Sequence, residues 1–330
     1  MIGRFSLSPS HPVPSFSQSH DRSKRLRADL TLLVVAVIWG STFVAQRTGN
    51  DFVGPLTFNT ARFLVGSLFL LPLLIWQRRR SMRVQAPSSP PQRKENLWRN
   101  SLLLGLILFG GISLQQIGLV TTTAGKGGFI TGLYVVLVPL LLALFWRERV
   151  RWTNWGGAAL AIAGLFLLSI GLREKFQLNP GDIWVLCGAL VWALHVIATG
   201  KIAPGRNPLR LAVTQYIVCA LLCAIPALVL EWETWGGLLE AAPSILYAGV
   251  LSTGLAFTGQ IAAQRHAPPA DAAIIMSMET VFAALAGWLV LSEMLTGQQL
   301  LGCVLMFAGM LLAQVSSFVH ATNTARSTTL

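Results

Sequence analysis

The sequence predicts an all-α integral membrane protein of ten transmembrane helices, arranged as two inverted five-helix repeats. Three observations carry this reading. Hydrophobic residues make up 53% of the 330 and charged residues only 12%, about half the charged share of a soluble domain. Apolar runs long enough to cross ~30 Å of hydrocarbon at ~1.5 Å per residue recur ten times. Marker residues also repeat: Asp29 and Trp39 return as Asp182 and Trp192, a shift of 153 positions, while Glu148, Gly157 and Gly164 return as Glu293, Gly302 and Gly309, a shift of 145. The loop Gln77 to Leu97 is longer than its counterpart Glu231 to Ala242 and absorbs the difference. Each half has an odd number of spans, so the second must run upside down relative to the first, an architecture found mainly in transporters.

The elements follow in order. Residues 1–28 are rich in Ser, Pro and Arg without periodicity and are expected to form a disordered cytoplasmic tail. No small-residue cleavage site follows the first span, which argues against a cleaved signal peptide. The first repeat, residues 29–171, contains the runs Leu30 to Gln46, Pro55 to Trp76, Trp98 to Val120, Lys126 to Trp146 and Trp152 to Gly171. The second, residues 181–317, contains Gly181 to Lys201, Leu209 to Leu230, Pro243 to Ala263, Ala270 to Leu291 and Thr296 to Ser317, and a short polar cytoplasmic tail, 318–330, closes the chain. None of these runs alternates polar and apolar residues at period two, which excludes a β-barrel. Pro72, Pro139 and Pro226 each remove a backbone donor inside a span and are expected to bend it. Gly157 with Gly164, and Gly302 with Gly309, mark two helices suited to pack as a pair, within the chain or across a dimer.

The net charge of +12 is explained by position. With the N-terminus inside, twenty Lys and Arg residues fall on the inner side, among them Arg25, Arg78, Arg79, Arg80, Arg147, Arg151 and Lys201. Four, Arg47, Lys126, Arg173 and Lys175, fall on the outer side. That is a strong positive-inside bias, so both termini are expected in the cytoplasm of a multi-pass plasma or inner-membrane protein. It also accounts for the basic loop after Gln77, and no nucleic acid partner is implied. Cys187, Cys219, Cys223 and Cys303 fall inside spans and read as small packing residues, with no disulfide framework.

Enzymatic chemistry finds no support. The chain has no G-x-x-x-x-G-K-[ST] phosphate loop, no H-E-x-x-H and no paired aspartates suited to a diphosphate-bound Mg²⁺. Gly125-Lys126-Gly127-Gly128 lacks both the glycine spacing and the hydroxyl residue of a phosphate cradle. Neither a cofactor nor a metal is expected.

Several motifs, in order and duplicated, resemble the ten-helix, EamA-type branch of the drug/metabolite transporter superfamily between Asp29 and Ser317. They are Val37-Ile38-Trp39-Gly40-Ser41-Thr42-Phe43, Ala61-Arg62-Phe63, Gly128-Phe129 through Pro139 and Glu148, and Met276-Ser277-Met278-Glu279 leading to Ser292-Glu293. The resemblance implies two inverted halves around a central cavity, alternating access, no ATPase partner, and export of a small organic metabolite such as an amino acid. Proton coupling, uncoupled facilitation and flipping of a lipid or amphiphile all remain open. The partners are then the substrate and the bilayer, for a monomer or a homodimer. One departure is Thr280, where the family commonly carries proline after the acidic residue, so the expected bend there is in question.

Within the spans, polar groups are costly and mark candidate sites. Glu279 lies about nine residues into its run, near the midplane, and is read as a site for a substrate amine or a coupled proton. Tyr134 occupies the equivalent position in the first half by the 145 shift, and lies eight residues on from Lys126 on roughly the same helix face; Lys126, at the outer start of that span, either marks the interface or contacts substrate. Arg62 is a snorkelling anchor or a gate that pairs with an acid such as Asp51. Trp39 and Trp192 lie too deep for an interfacial belt and either line the cavity or fill the core. His195 is a candidate proton relay or a hydrogen-bonded core residue. Gln115, Gln116, Gln215 and Gln260 read first as interhelical glue, with Gln115 also a candidate cavity contact.

Overall fold

The computed structural model describes residues 16–83, 97–122, 124–169, 179–291 and 296–327. Helices α1 (Phe16–Gly49), α2 (Pro55–Arg83) and α3 (Leu97–Gly118) are continuous. The fourth span is made of α4 (Ala124–Gly132) and α5 (Tyr134–Phe145), and the fifth is α6 (Trp152–Ser169). Helices α7 (Pro180–Ile202) and α8 (Pro208–Leu230) open the second half. A short 3₁₀ turn, Trp232–Leu238, then leads into a composite span of α9 (Ala242–Tyr247), a π-helix (Ala248–Phe257) and α10 (Thr258–Ala263). The ninth span is α11 (Pro269–Met276) with α12 (Glu279–Leu291), and the tenth is α13 (Gly297–Ser327). Among the described residues there is no strand. Among the described residues seven stretches are long and apolar enough to span a membrane by themselves. Helix α6, the interrupted α11–α12 pair and the apolar part of α13, Gly297–Ala313, correspond to the other three runs.

Two boundaries differ from the sequence reading. Helix α1 begins at Phe16, so residues 16–28 are helical where an irregular tail was expected, and residues 1–15 lie outside the described residues. From Arg25 on, packing accounts for the extension: Ala28 is buried, and Arg25 is held by Asp29 one turn on and by Asp271 of α11. Interior helix contacts thus override the weak local propensity of the tail. Helix α13 likewise continues to Ser327, beyond the expected end of the last span. Ser292, Glu293, Arg173 and Lys175 fall outside the described residues.

Helix neighbours are arranged so that exchanging the two halves reproduces them. Helix α3 packs on α7, as the α9–α10 span packs on α1. The α4–α5 span also lies against α7, as α11–α12 lies against α1. Helix α2 meets the π-helix, and α3 meets α8; α2 with α8, and α6 with α13, are self-equivalent pairs. The core runs along these seams, through Leu32, Leu104, Leu108, Ile197, Leu211 and Ile261. Outward faces are apolar, with Val34, Leu68, Leu144, Ile225 and Val304 exposed to the hydrocarbon. Trp76, Trp98, Trp152 and Trp232 stand exposed at span ends, where amphipathic rings favour the headgroup zone.

The paired glycines form a seam inside the chain. A Cβ at Gly157 would lie 2.7 Å from the carbonyl oxygen of Gly309, one at Gly309 would lie 2.6 Å from that of Gly157, and one at Gly164 would collide with that of Gly302. Helices α6 and α13 are therefore in backbone contact, and this surface is not available to a second copy of the chain. Gly157→Val should separate the two backbones and cost about 1–3 kcal/mol, the usual penalty of overpacking. A drop in the thermal unfolding midpoint of the detergent-solubilised protein is the expected readout; an unchanged midpoint would contradict the seam.

The span α9–α10 departs from its partner α3. Gly105 packs on Val218 and the Gln215 carbonyl, and Gly249 packs on Val65 and the Arg62 carbonyl, so these glycines are structural equivalents. Ile112 follows Gly105 by seven positions, whereas its equivalent Phe257 follows Gly249 by eight. One extra residue in a helix is absorbed as π-turns, and the π-helix lies over that interval.

Candidate functional site

At the centre, where α1, α2, α3, α4, α5, α7, the π-helix, α10 and α12 converge, a buried cavity is lined by Trp39, Thr42, Phe43, Gln46, Arg62, Ile112, Gln115, Thr131, Tyr134, Trp192, Val196, Ser252, Phe257, Gln260 and Glu279. Ten of the fifteen form repeat-equivalent pairs: Trp39 with Trp192, Phe43 with Val196, Ile112 with Phe257, Gln115 with Gln260, and Tyr134 with Glu279. The cavity therefore takes its walls from the same positions of both halves. Its free space is about 40 Å³, room for a few waters at ~10–15 Å³ each. A metabolite fits only if the surrounding helices move apart.

Local backbone geometry places the two midplane groups. Tyr134 is the first residue of α5 and Glu279 the first of α12, so each sits at the interruption of its span. Pro139 lacks the donor to Val135 in α5. In the ninth span no proline is needed. Ser277 Oγ donates to the Ile274 carbonyl (2.8 Å) and Thr280 Oγ1 to the Ser277 carbonyl (3.2 Å), while Met278 and Thr280 form backbone bonds to residues three back. Hydroxyls bonded to carbonyls tighten and bend a helix. The interruption is thus present with Thr280 in the proline's place. Gly40 of α1 makes room for it, since a Cβ there would collide with the Glu279 carbonyl oxygen.

Glu279 is 3% exposed, and the carboxyl lies beside the Tyr134 phenol. Its Oε1 has no hydrogen-bond partner among the described residues. Arg62 is 1% exposed, with Nη1 donating to Gln46 Oε1 (2.9 Å) and the guanidinium 5.1 Å from the Phe63 ring. Its Nε has no partner among the described residues, and no ion pair is formed with Asp51, which is bound by Arg47 at the surface. Arg62 is thus turned inward to Gln46, and neither the snorkelling anchor nor the Asp51 pairing is formed in this conformation. Trp39, Trp192 and Phe257 stack into one cluster, with Trp192 and Phe257 5.6 Å apart and nearly parallel. Trp192 Nε1 donates to Gln115 Oε1 (2.7 Å), and Gln115 Nε2 reaches Gln46 Oε1 (3.4 Å). Such a wall suits an apolar or cationic group, and the two charged side chains suit groups of opposite sign.

Six of the candidates from the sequence, Glu279, Tyr134, Arg62, Trp39, Trp192 and Gln115, meet at this cavity. Two do not. Lys126 does not line it; its ammonium pairs with Asp182, which also accepts from Thr122 Oγ1 and, within the α7 capping box, from the Asn179 backbone. His195 sits behind Trp192 at a ring distance of 5.7 Å, fully buried and outside the lining. Thr42, Phe43, Gln46, Ile112, Thr131, Val196, Ser252 and Phe257 were not singled out as candidates, and Gln260 was read only as glue. The repeat map holds the signal for several of them, since Gln115, Ile112 and Phe43 lead directly to Gln260, Phe257 and Val196.

The arrangement is that of a multi-pass membrane protein: an apolar helix bundle around a small, mostly apolar central cavity bordered by a few polar side chains, Glu279 and Arg62 among them. The EamA-like transporter family model matches twice, over residues 26–170 and 179–314. The chain belongs to that family. An uncharacterized transporter of Archaeoglobus fulgidus is 31% identical over 88% of this chain and 87% of its own. The uncharacterized inner membrane transporter YedA of Escherichia coli is 28% identical over 78% and 80%, and the uncharacterized transporter YoaV of Bacillus subtilis is 24% identical over 85% and 94%. A solved structure described only as "Crystal structure of protein" shares the fold, with a TM-score of 0.72 at 17% identity, covering 88% of this chain and 97% of that one.

Proposed function

We propose that the chain is a proton-coupled secondary transporter that exports a small organic metabolite, an amino acid or a related compound, from the cytoplasm by alternating access. The observation that carries this reading is the set of buried atoms on cavity-lining side chains that have no hydrogen-bond partner among the described residues. Glu279 Oε1, Arg62 Nε, Thr131 Oγ1, Trp39 Nε1 and the Gln260 amide all belong to side chains that line one small cavity. Buried polar groups are costly unless bonded, at about 1–3 kcal/mol each, so a constellation of this kind is suited to a ligand that supplies the missing bonds. Glu279 would receive an ammonium or a proton, Arg62 an anionic or carbonyl oxygen, and the aromatic cluster the apolar body. The exchangeable helix contacts support two inverted repeats, and the twenty-to-four charge bias supports cytoplasmic termini.

The test is efflux from proteoliposomes loaded with a panel of amino acids and related metabolites, with and without an imposed pH gradient. Movement of at least one compound, faster with the gradient, is the expected result. Equal rates with and without the gradient would leave an uncoupled facilitator. No movement of any compound, alongside unchanged sensitivity to growth inhibitors in cells that lack the protein, would overturn export.

A further inference from the structure

The two central tryptophans are equivalent in sequence but not in bonding. Trp192 Nε1 donates to Gln115 Oε1 at 2.7 Å. The repeat carries Trp192 onto Trp39 and Gln115 onto Gln260, so the matching bond would join Trp39 Nε1 to Gln260 Oε1. It is not made: Trp39 Nε1 and both amide atoms of Gln260 lack hydrogen-bond partners among the described residues, although all four side chains line the same cavity. Identical chemistry in two arrangements points to conformation as the cause. The π-helix immediately before α10, absent from α3, is where the two halves differ in backbone.

The two pairs also face opposite ends of the molecule. Gln115 lies one turn from the end of α3, where Gly118 packs on Gly181 and Val185 near the start of α7. Gln260 lies in the last turns before His266, whose carbonyl accepts from Arg25 near the start of α1. The bond that is made therefore lies toward the α7 start, and the unmade pair lies toward the α1 start.

We propose that Trp192–Gln115 and Trp39–Gln260 are the alternately made bonds of the access switch, each drawing its indole across its own end of the cavity. This rests on the alternating-access reading above. In the reciprocal state Trp39–Gln260 is made and Trp192–Gln115 is broken. Because Gln115 also contacts Gln46, which holds Arg62, breaking the first bond loosens the seat of Arg62 at the moment its end opens. Glutamine suits this use: a neutral pair gains little net from its bond, so two near-equal states are biased without either being locked.

The test uses the full chain with its four cysteines replaced by alanine and a reporter Ser252→Cys in the cavity. A membrane-impermeant maleimide is applied to right-side-out and to inside-out vesicles. Gln115→Leu should raise labelling from the α7-start face relative to the other by about threefold to tenfold, the population shift of one net hydrogen bond. Gln260→Leu should shift the ratio by a similar factor the opposite way. Trp192→Phe and Trp39→Phe, which keep a ring and delete the donor, should repeat the two opposite shifts if either glutamine variant fails to accumulate. Labelling of the parent from both faces, with the paired variants shifting the same way or not at all, overturns the switch alone. Labelling from one face only, in the parent and every variant, overturns alternating access and the switch with it.

Discussion

Glu279→Gln is expected to lower transport by about 10- to 100-fold while leaving the protein folded. The side chains match in shape, so the packing against Gly40 and Tyr134 is kept and only the carboxyl is lost. A hydrogen bond to a charged group is worth about 1.5–3 kcal/mol, which at ~1.4 kcal/mol per tenfold sets that range. Two readouts separate the roles assigned to this residue. If Glu279 carries the coupled proton, the variant transports at a low rate that no longer responds to a pH gradient. If it only holds a substrate amine, the half-saturating concentration rises and the gradient response survives. A variant with parental rate and parental pH response would remove Glu279 from the site.

The sequence made much of this architecture legible because bilayer physics leaves few options. Backbone groups in hydrocarbon must be satisfied within a helix or a closed barrel, so run length and the absence of alternation were enough for an all-helical chain. The repeat map went further, since it brought Trp39, Trp192, Tyr134 and Glu279 to equivalent positions, and these converge on one cavity. Other features depended on what each side chain meets. Lys126 and Arg62 looked alike as isolated cations in or beside apolar runs. Asp182 is close enough to bind Lys126, while Arg62 turns inward to Gln46. The interruption before Glu279 needs no proline, because the Ser277 hydroxyl bonds the Ile274 carbonyl and the Thr280 hydroxyl bonds the Ser277 carbonyl, contacts that the presence of Thr280 in the sequence does not announce. The π-helix was also hidden. Its signature is one residue of extra spacing between Gly249 and Phe257, which becomes visible only when packing identifies Gly249 with Gly105.

Asp271→Ala is expected to destabilise the fold by about 3–5 kcal/mol, the cost of breaking a buried ion pair by removing one partner. Asp271 is fully buried in the first turn of α11. Its carboxylate accepts from Arg25 Nη2 of α1 (2.8 Å), Arg151 Nη2 beside α6 (3.3 Å) and Asn154 Nδ2 of α6 (2.6 Å), so one side chain ties three helices together. A negative charge at a helix N-terminus also gains from the dipole, by about 0.3–1 kcal/mol. Two features moderate the loss. Arg25 keeps Asp29, and Arg151, about one-third exposed, can turn outward to water or headgroups. Asn154 has neither outlet, being 2% exposed. The loss should therefore fall toward the lower end of the range, and Asp271→Asn, which keeps an acceptor, should cost less than Asp271→Ala. The thermal midpoints of the detergent-solubilised variants should rank parent, Asn, Ala. Equal midpoints for Asn and Ala would mean that charge alone matters at this junction, and an unchanged midpoint for Ala would show that the three helices are held together elsewhere.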